Sequence, residues 1–306
     1  VKIDRIEAAR AWHTELVDHG LAAPGWPKSV GGLELSVEDQ LDYYRMTTAA
    51  GAPPHPCQLS FIVAPTLITH GSQEQKDRFL RPLLRADEFW CQGFSEPGAG
   101  SDLASLSTRA VRDGGVYRVT GQKVWTSMAD RADWMFALVR TDPKAQPRHA
   151  GITMLLIDLK SPGITVRPIQ TIKGDAEFAE EFFVDVRVPR ANMLGGLNEG
   201  WKVANKLLGS ERFTTGHPRN AAVLLNKARQ VGEFSGALRE PAFRHKLAAL
   251  EIDLLAFSAY YRHAAALHGH GKAPLSMAPV IKIVGGELGQ RASELLVEAA
   301  GPYGPA

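Results

Sequence analysis

Trp90-Cys91-Gln92-Gly93-Phe94-Ser95-Glu96-Pro97-Gly98-Ala99-Gly100-Ser101-Asp102 and, further along, Gly121-Gln122-Lys123-Val124-Trp125-Thr126-Ser127 are the two segments on which the reading of this chain turns. The first is a strand of small and aromatic residues that enters a Pro-Gly-Ala-Gly turn. Pro97 fixes φ, and Gly98 and Gly100 are expected to allow left-handed φ and a close ligand approach. Ser95, Ser101 and the free N–H groups of such a turn are donors suited to carbonyl, phosphate or ring-nitrogen acceptors. The second segment is a strand that ends in an indole plane beside two hydroxyls, a combination suited to a flat heterocycle that needs both stacking and hydrogen bonds. Taken separately, each half reads more simply as part of a hairpin, with an ordinary glycine turn and a core Trp.

Around these segments the apolar period is two. Tyr117–Thr120, Trp134–Val139, Ile152–Ile157, Ile164–Val166 and Phe182–Val188 read as strands, separated by turns at Asp113-Gly114-Gly115, Asp142-Pro143 and Ser161-Pro162-Gly163. Strands this close in sequence predict a middle antiparallel β-sheet or barrel domain over 89–190. No Gly-x-Gly-x-x-Gly joins a strand to a helix, so a Rossmann domain is disfavoured.

On either side the period changes to that of a helix. In the N-terminal helical domain, 1–88, Ile3, Ile6, Ala9, Ala11 or Trp12, and Leu16 recur at helical spacing, and Gly20 is a plausible C-cap. Loop residues Pro24–Pro27 and Gly31-Gly32 follow, and Ser36 with Asp39 resembles a capping box. An apolar stretch from Leu59 to Ile68 is interrupted by Pro65. His70–Lys76 closes one helix and caps the next, whose buried face is Phe79, Leu83 and Leu84. His70 reads as a helix-end residue. After Asn192 a C-terminal helical bundle, 191–306, is predicted, with helices near 217–235, 241–268 and 276–299. The fold class is thus α+β and multi-domain, in the order α, β, α.

Composition narrows the function classes. The 306 residues are 44% hydrophobic and 22% charged, ordinary for a globular protein. A net charge of +2 gives no reason to expect nucleic acid or an anionic membrane. Cys57 and Cys91 are too few for a disulfide framework, and no apolar run reaches membrane-spanning length. These features point to a cytoplasmic protein. His263, His268 and His270 lack the spacing of a metal site.

Together the two segments resemble the acyl-CoA dehydrogenase family, whose flavoproteins form a 2,3-double bond in acyl-CoA thioesters. The family's first motif is Ser or Thr, Glu, two free positions, Gly or Ser, then Gly-Ser-Asp, and it appears here as Ser95 to Asp102 with Ala99 at the Gly or Ser position. Its second is Gly-x-Lys-x-Trp, then Ile or Thr, then Ser or Thr, matched by Gly121, Lys123, Trp125, Thr126 and Ser127. The resemblance covers nearly the whole chain. It implies FAD as cofactor, because no side chain accepts the hydride from C3. It places Ser95 at the flavin ring with Gln92 and Phe94 beside it, Trp125 against the isoalloxazine and Ser127 near N5. Gly100 and Ser101 match positions that meet the pyrophosphate and the acyl-CoA substrate.

The family offers two placements for the base that removes the C2 proton. One lies in the final helical segment, beyond Ala306; the other is a Glu before Arg on the helix after the Gly-Trp motif. Glu211-Arg212 matches the second, with Glu211 as base and Arg212 toward substrate. Homotetrameric members carry Arg-x-x-Phe-Gly where this chain has Phe234–Arg239 without that motif. Their Gln-x-x-Gly-Gly-x-Gly loop stands here as Glu298-Ala299-Ala300-Gly301-Pro302-Tyr303-Gly304. The resemblance therefore implies a homo- or hetero-oligomer with an electron-transferring flavoprotein as electron acceptor. It leaves open a non-catalytic or FAD-sharing subunit, or a flavin oxidase or monooxygenase. Because the chain starts at Val1 and stops after this glycine turn, where the family continues through a last helix, both ends are expected to be incomplete.

Overall fold

The computed structural model describes residues 5–53, 58–269, 272, 274 and 276–301. Ile3, Cys57, His270 and Pro302–Gly304, named above, lie outside the described residues. The chain divides into two compact units, one of Val1–Leu35 with Tyr43–Leu207, the other of Ser36–Asp42 with Leu208–Ala306.

The first unit is built on an eight-stranded sheet: β1 (Trp90–Gly93), β2 (Arg109–Asp113), β3 (Val116–Ser127), β4 (Trp134–Arg140), β5 (Ile152–Asp158), β6 (Ile164–Ile169), β7 (Phe178–Pro189) and β8 (Met193–Leu194). The order along the sheet is β6-β7-β3-β2-β4-β5-β8, with β1 added on β4. The pairings are antiparallel as expected, except that β1 and β2 both run parallel to β4. Trp90 pairs with Trp134 and Gly93 with Ala137, which carries the first motif out of the sheet beside a central strand. β4 and β5 are buried almost along their whole length, so they read as unbroken apolar runs and not as alternating ones.

Among the described residues, four α-helices precede the sheet: α1 (Arg5–Asp18), α2 (Val37–Ala49), α3 (Gln58–His70) and α4 (Gln73–Leu84). α3 runs through Pro65 without a break, contrary to the interruption expected. Proline removes one backbone bond there, and the burial of Val63, Ala64 and Leu67 outweighs that loss. Ser36 does accept from the Asp39 N–H at 3.1 Å, but the Asp39 carboxylate receives the Ser36 hydroxyl, so the box is not reciprocal. The reciprocal box is at Ser72 and Gln75, where α4 starts. α4 packs Phe79 edge-on against Trp90 and Trp134, at 5.3 and 4.9 Å between ring centroids. The Gln75 amide donates to the carbonyls of Ala191 and Met193, at 2.7 and 2.9 Å, and so ties α4 to β8.

Helix α5 (Gly200–Thr215) begins against β5. A Cβ at Gly200 would sit 2.6 Å from the Thr153 carbonyl carbon, so the helix starts where only glycine fits. The Thr153 hydroxyl accepts from Asn198 N at 2.9 Å. The second unit holds α6 (Arg219–Ser235), α7 (Pro241–Gly269) and α8 (Met277–Ala300), close to the predicted spans. Its core is Leu225, Phe243, Leu247, Leu250, Phe257, Ile281, Leu288 and Leu295, at the helical spacing read from the sequence. Of the histidines weighed for metal, His263 and His268 lie on α7, and the His268 ring packs on Phe213 at 4.8 Å. Among the described residues no helix is long and apolar enough to cross a membrane.

Candidate functional site

Three contacts hold the two motifs together, one of them through Thr108, which lies just beyond the first motif. The Val124 N–H donates to the Ser95 carbonyl at 3.0 Å. Gly121 faces Thr108 so closely that a Cβ would lie 2.6 Å from the Thr108 Cα, which explains glycine there. The third contact is electrostatic. Lys123 is fully buried, and its ammonium donates to Glu96 Oε1 at 2.8 Å and to the Phe94 carbonyl at 3.1 Å.

Glu96 is equally well provided for. Oε2 accepts from the Ser107 N–H and hydroxyl at 2.7 and 2.9 Å, and Oε1 accepts from the Thr108 N–H at 2.9 Å. Burial pushes this carboxyl up, but the Lys123 charge and these donors outweigh it and hold it down at about 2. Burial draws the Lys123 ammonium below its ordinary value against the pull of Glu96. The Glu of the first motif and the Lys of the second are thus one buried ion pair. Sequence reading gave neither a role, since charged residues ordinarily mark the surface. Arg140 adds a further clamp by donating to the carbonyls of Ala104 and Leu106, at 2.6 and 3.0 Å, in the short turn after Asp102.

On this rigid base the second motif ends in a β-bulge. β3 pairs with β7 at Val124–Glu180 and Thr126–Ala179, which leaves Trp125 as the extra residue. Its φ is +62°, left-handed, a conformation costly by roughly 1–3 kcal/mol for a bulky residue. The strain turns the indole outward. Trp125 is 62% exposed and meets Phe178 edge-on at 6.3 Å. The plain reading of a core sheet aromatic is therefore excluded. Ser127 follows, half-buried, and pairs with Phe178; Thr126 between them is buried.

The first motif is equally open. Ser95 and Gln92 are half-buried, and Gly98, Gly100 and Ser101 are exposed. Neither Gly98 nor Gly100 has left-handed φ, contrary to expectation, and a Cβ on either would meet nothing within 4 Å. Their smallness leaves clear space above the turn. Phe94 lies deeper than these residues. It is buried, edge-on to Phe136 at 5.8 Å, and only its backbone lies along the motif.

The structure therefore brings Gln92, Ser95, Gly100, Ser101, Trp125 and Ser127 onto one sheet unit. These residues fit a flavin: an exposed indole face, half-exposed hydroxyls on both motifs and an unobstructed glycine turn. Glu211 and Arg212 belong to the second unit. Both are half-buried on α5, one turn beyond the buried Leu207. A cavity of about 620 Å³ in the first unit is lined by His70, Gln75, Arg78, Asn192 and Gly195 among others, and contains none of the motif residues.

One buried group escaped the sequence reading altogether. Glu181 on β7 is 0% exposed and lies opposite Lys123. Its Oε2 accepts from the Thr126 hydroxyl at 2.7 Å. Burial pushes this carboxyl up to about 7, against the Thr126 hydroxyl and the Lys123 ammonium.

The chain is similar to known proteins along nearly its whole length. Profiles described as the acyl-CoA dehydrogenase N-terminal, middle and C-terminal domains match residues 2–87, 91–186 and 198–306. The acyl-CoA dehydrogenase IpdE1 of Mycobacterium tuberculosis is 39% identical over 260 residues, 84% of this chain and 67% of that protein. Among solved structures, the Tcur3481-Tcur3483 steroid ACAD superposes with a TM-score of 0.87 at 31% identity, over 98% of this chain and 78% of its own. The ChsE4-ChsE5 complex of Mycobacterium tuberculosis gives 0.83 at 32% identity, over 97% and 78%. A helical–sheet–helical chain with both motifs welded by a buried ion pair, matched along its length in this way, belongs to the acyl-CoA dehydrogenase family of oxidoreductases.

Proposed function

We propose that the chain acts as an FAD-dependent acyl-CoA dehydrogenase that introduces the 2,3-double bond of an acyl-CoA thioester. The observation that carries this reading is Trp125, a bulky aromatic held outward in a left-handed bulge where a buried one would be cheaper. Bound FAD would supply the two-electron acceptor that the chain's own side chains lack. Trp125 would stack on the flavin, with Ser95, Ser127 and the backbone at Gln92 and Phe94 meeting its polar edge. Gly100 and Ser101 would face pyrophosphate and acyl-CoA. Glu211 would take the C2 proton, with Arg212 toward the substrate. The segments 1–88, 89–190 and 191–306 would serve as substrate-side helices, flavin sheet and bundle. The similarity to a structure named a steroid ACAD points to a thioester whose acyl chain is carried on a polycyclic ring system. An electron-transferring flavoprotein would reoxidise the cofactor.

The test is spectral. The purified chain should carry flavin bands that bleach under argon with a steroid-linked acyl-CoA more rapidly than with straight-chain thioesters, and Trp125→Ala should lose flavin. Full flavin occupancy and an unchanged spectrum in Trp125→Ala would remove the placement. No bleaching with any thioester would remove the activity.

A second reading is favoured by one observation: Phe234–Arg239 lacks the Arg-x-x-Phe-Gly motif of homotetrameric members. The chain would then share FAD sites with a second subunit. In the second unit Ile252, Leu255, Ile283 and Val297 are more than half exposed, and Phe234 is 95% exposed. These side chains would add apolar area to such an interface. Light scattering is expected to show an assembly larger than a monomer; a monomer with bound FAD at micromolar concentration would rule this out. Recovery of activity only with a second chain would identify the hetero-oligomer.

A further inference from the structure

Glu181 has no part in the desaturation chemistry, yet it is a carboxyl buried to 0% exposure in the sheet. An apolar residue there would avoid the desolvation cost of the acid. Its surroundings show what it does. Lys123 faces it across the β3–β7 ladder, with Glu96 behind that ammonium. Glu180 is its neighbour on β7, held by Arg167 of β6 at 3.7 Å and by the Gln122 amide at 3.0 Å. Glu181 Oε2 receives the Thr126 hydroxyl, while Oε1 has no hydrogen-bond partner among the described residues.

Thr126 is the first residue past the bulge. A bulge lets the strand beyond it rotate or slip, and a one-residue slip would exchange the inward and outward faces. That exchange would bury Trp125 and expose Thr126. The residue directly opposite Thr126 is Ala179, whose side chain offers no polar atom. Glu181, two residues along the same strand, reaches diagonally to supply one. A hydroxyl bound to an internal carboxyl fixes the inward face, and so fixes Trp125 on the outward one.

We propose that Glu181, acting through the Thr126 hydroxyl, is the positioning residue that holds the bulge with Trp125 and Ser127 presented to the flavin. The assignment of the flavin rests on the function proposed above; the pinning of the bulge does not.

The experiment uses flavin-stripped full chain: wild type, Thr126→Val, Glu181→Leu, Glu181→Gln and the double variant Thr126→Val/Glu181→Leu. Two quantities are read, the hydrogen exchange of the amides at 124–127 without FAD and the Kd for added FAD. Thr126→Val and Glu181→Leu should each speed exchange at these amides and weaken FAD binding by about tenfold. The double variant should be no worse than either single one, because both remove the same bond. Glu181→Gln, which keeps an acceptor of the same reach, should stay within about twofold of wild type. Wild-type exchange and Kd in folded Thr126→Val would overturn the proposal, as would multiplicative effects in the double variant. Should Glu181→Leu fail to fold, Thr126→Val and Glu181→Gln still decide. If wild type binds no FAD, the flavin reading fails by itself. The exchange rates then judge the pinning: faster in Thr126→Val upholds it, unchanged overturns it.

Discussion

Lys123→Met is expected to cost about 3–5 kcal/mol of folding stability, because it leaves the Glu96 carboxylate buried without its cation. The substitution keeps the length of the apolar stem, so the loss is electrostatic and not a cavity. Its pH dependence follows from Glu96. In the wild type this carboxyl is held at about 2, below its ordinary 4.5. A depressed carboxyl contributes stability that is fully present above the unfolded value and is lost as pH falls from about 4.5 toward 2. The variant lacks that contribution. The gap between the two proteins should therefore be full at pH 7 and narrow as pH falls below about 4.5. Urea unfolding at a series of pH values measures it. Glu96→Gln/Lys123→Met should recover part of the loss, because no uncompensated charge remains. A loss below about 1 kcal/mol at pH 7 would mean that the pair does not weld the two motifs.

Glu211→Gln is expected to slow flavin reduction by acyl-CoA on the order of 10²–10⁴-fold, the usual cost of removing a general base. FAD and acyl-CoA binding should remain, since the amide keeps the size of the side chain. The half-buried position of Glu211 one turn after Leu207 suits this role: a carboxylate must be partly withdrawn from water for its basicity to rise. Stopped-flow bleaching of the flavin under argon gives the rate directly. Reduction at the wild-type rate would transfer the role of base to another carboxylate, with Glu211 only a helix residue.

The fold was legible in the sequence where local pattern decides it. Short apolar runs between turn residues, alternating in β3 and β7 and unbroken in β4 and β5, marked the strands from Val116 to Pro189, and apolar spacing marked α6, α7 and α8. Glycines told less. Gly121 is required by Thr108 at its Cβ position, whereas Gly98 and Gly100, which look alike in sequence, have ordinary φ and open space. The parallel pairing of β1 and β2 with β4 was not legible, because strand direction depends on partners far along the chain. Nor was the continuity of α3 through Pro65, where burial of the neighbouring side chains overrides the local preference.

By itself the sequence determined the two motifs, their residue types and the helical–sheet–helical order, because those follow from short-range chemistry and periodicity. Only the tertiary structure decided which charges are buried and which aromatic is exposed. Glu96, Lys123 and Glu181 had no role in the sequence reading and are buried; Trp125, for which a core place was the plainer reading beside a flavin-facing one, is exposed. The physical reason is that desolvation and backbone strain are properties of a place and not of a residue. A buried carboxylate is tolerable only where another strand delivers an ammonium and N–H donors, and a Trp turns outward only where a bulge leaves it unpaired.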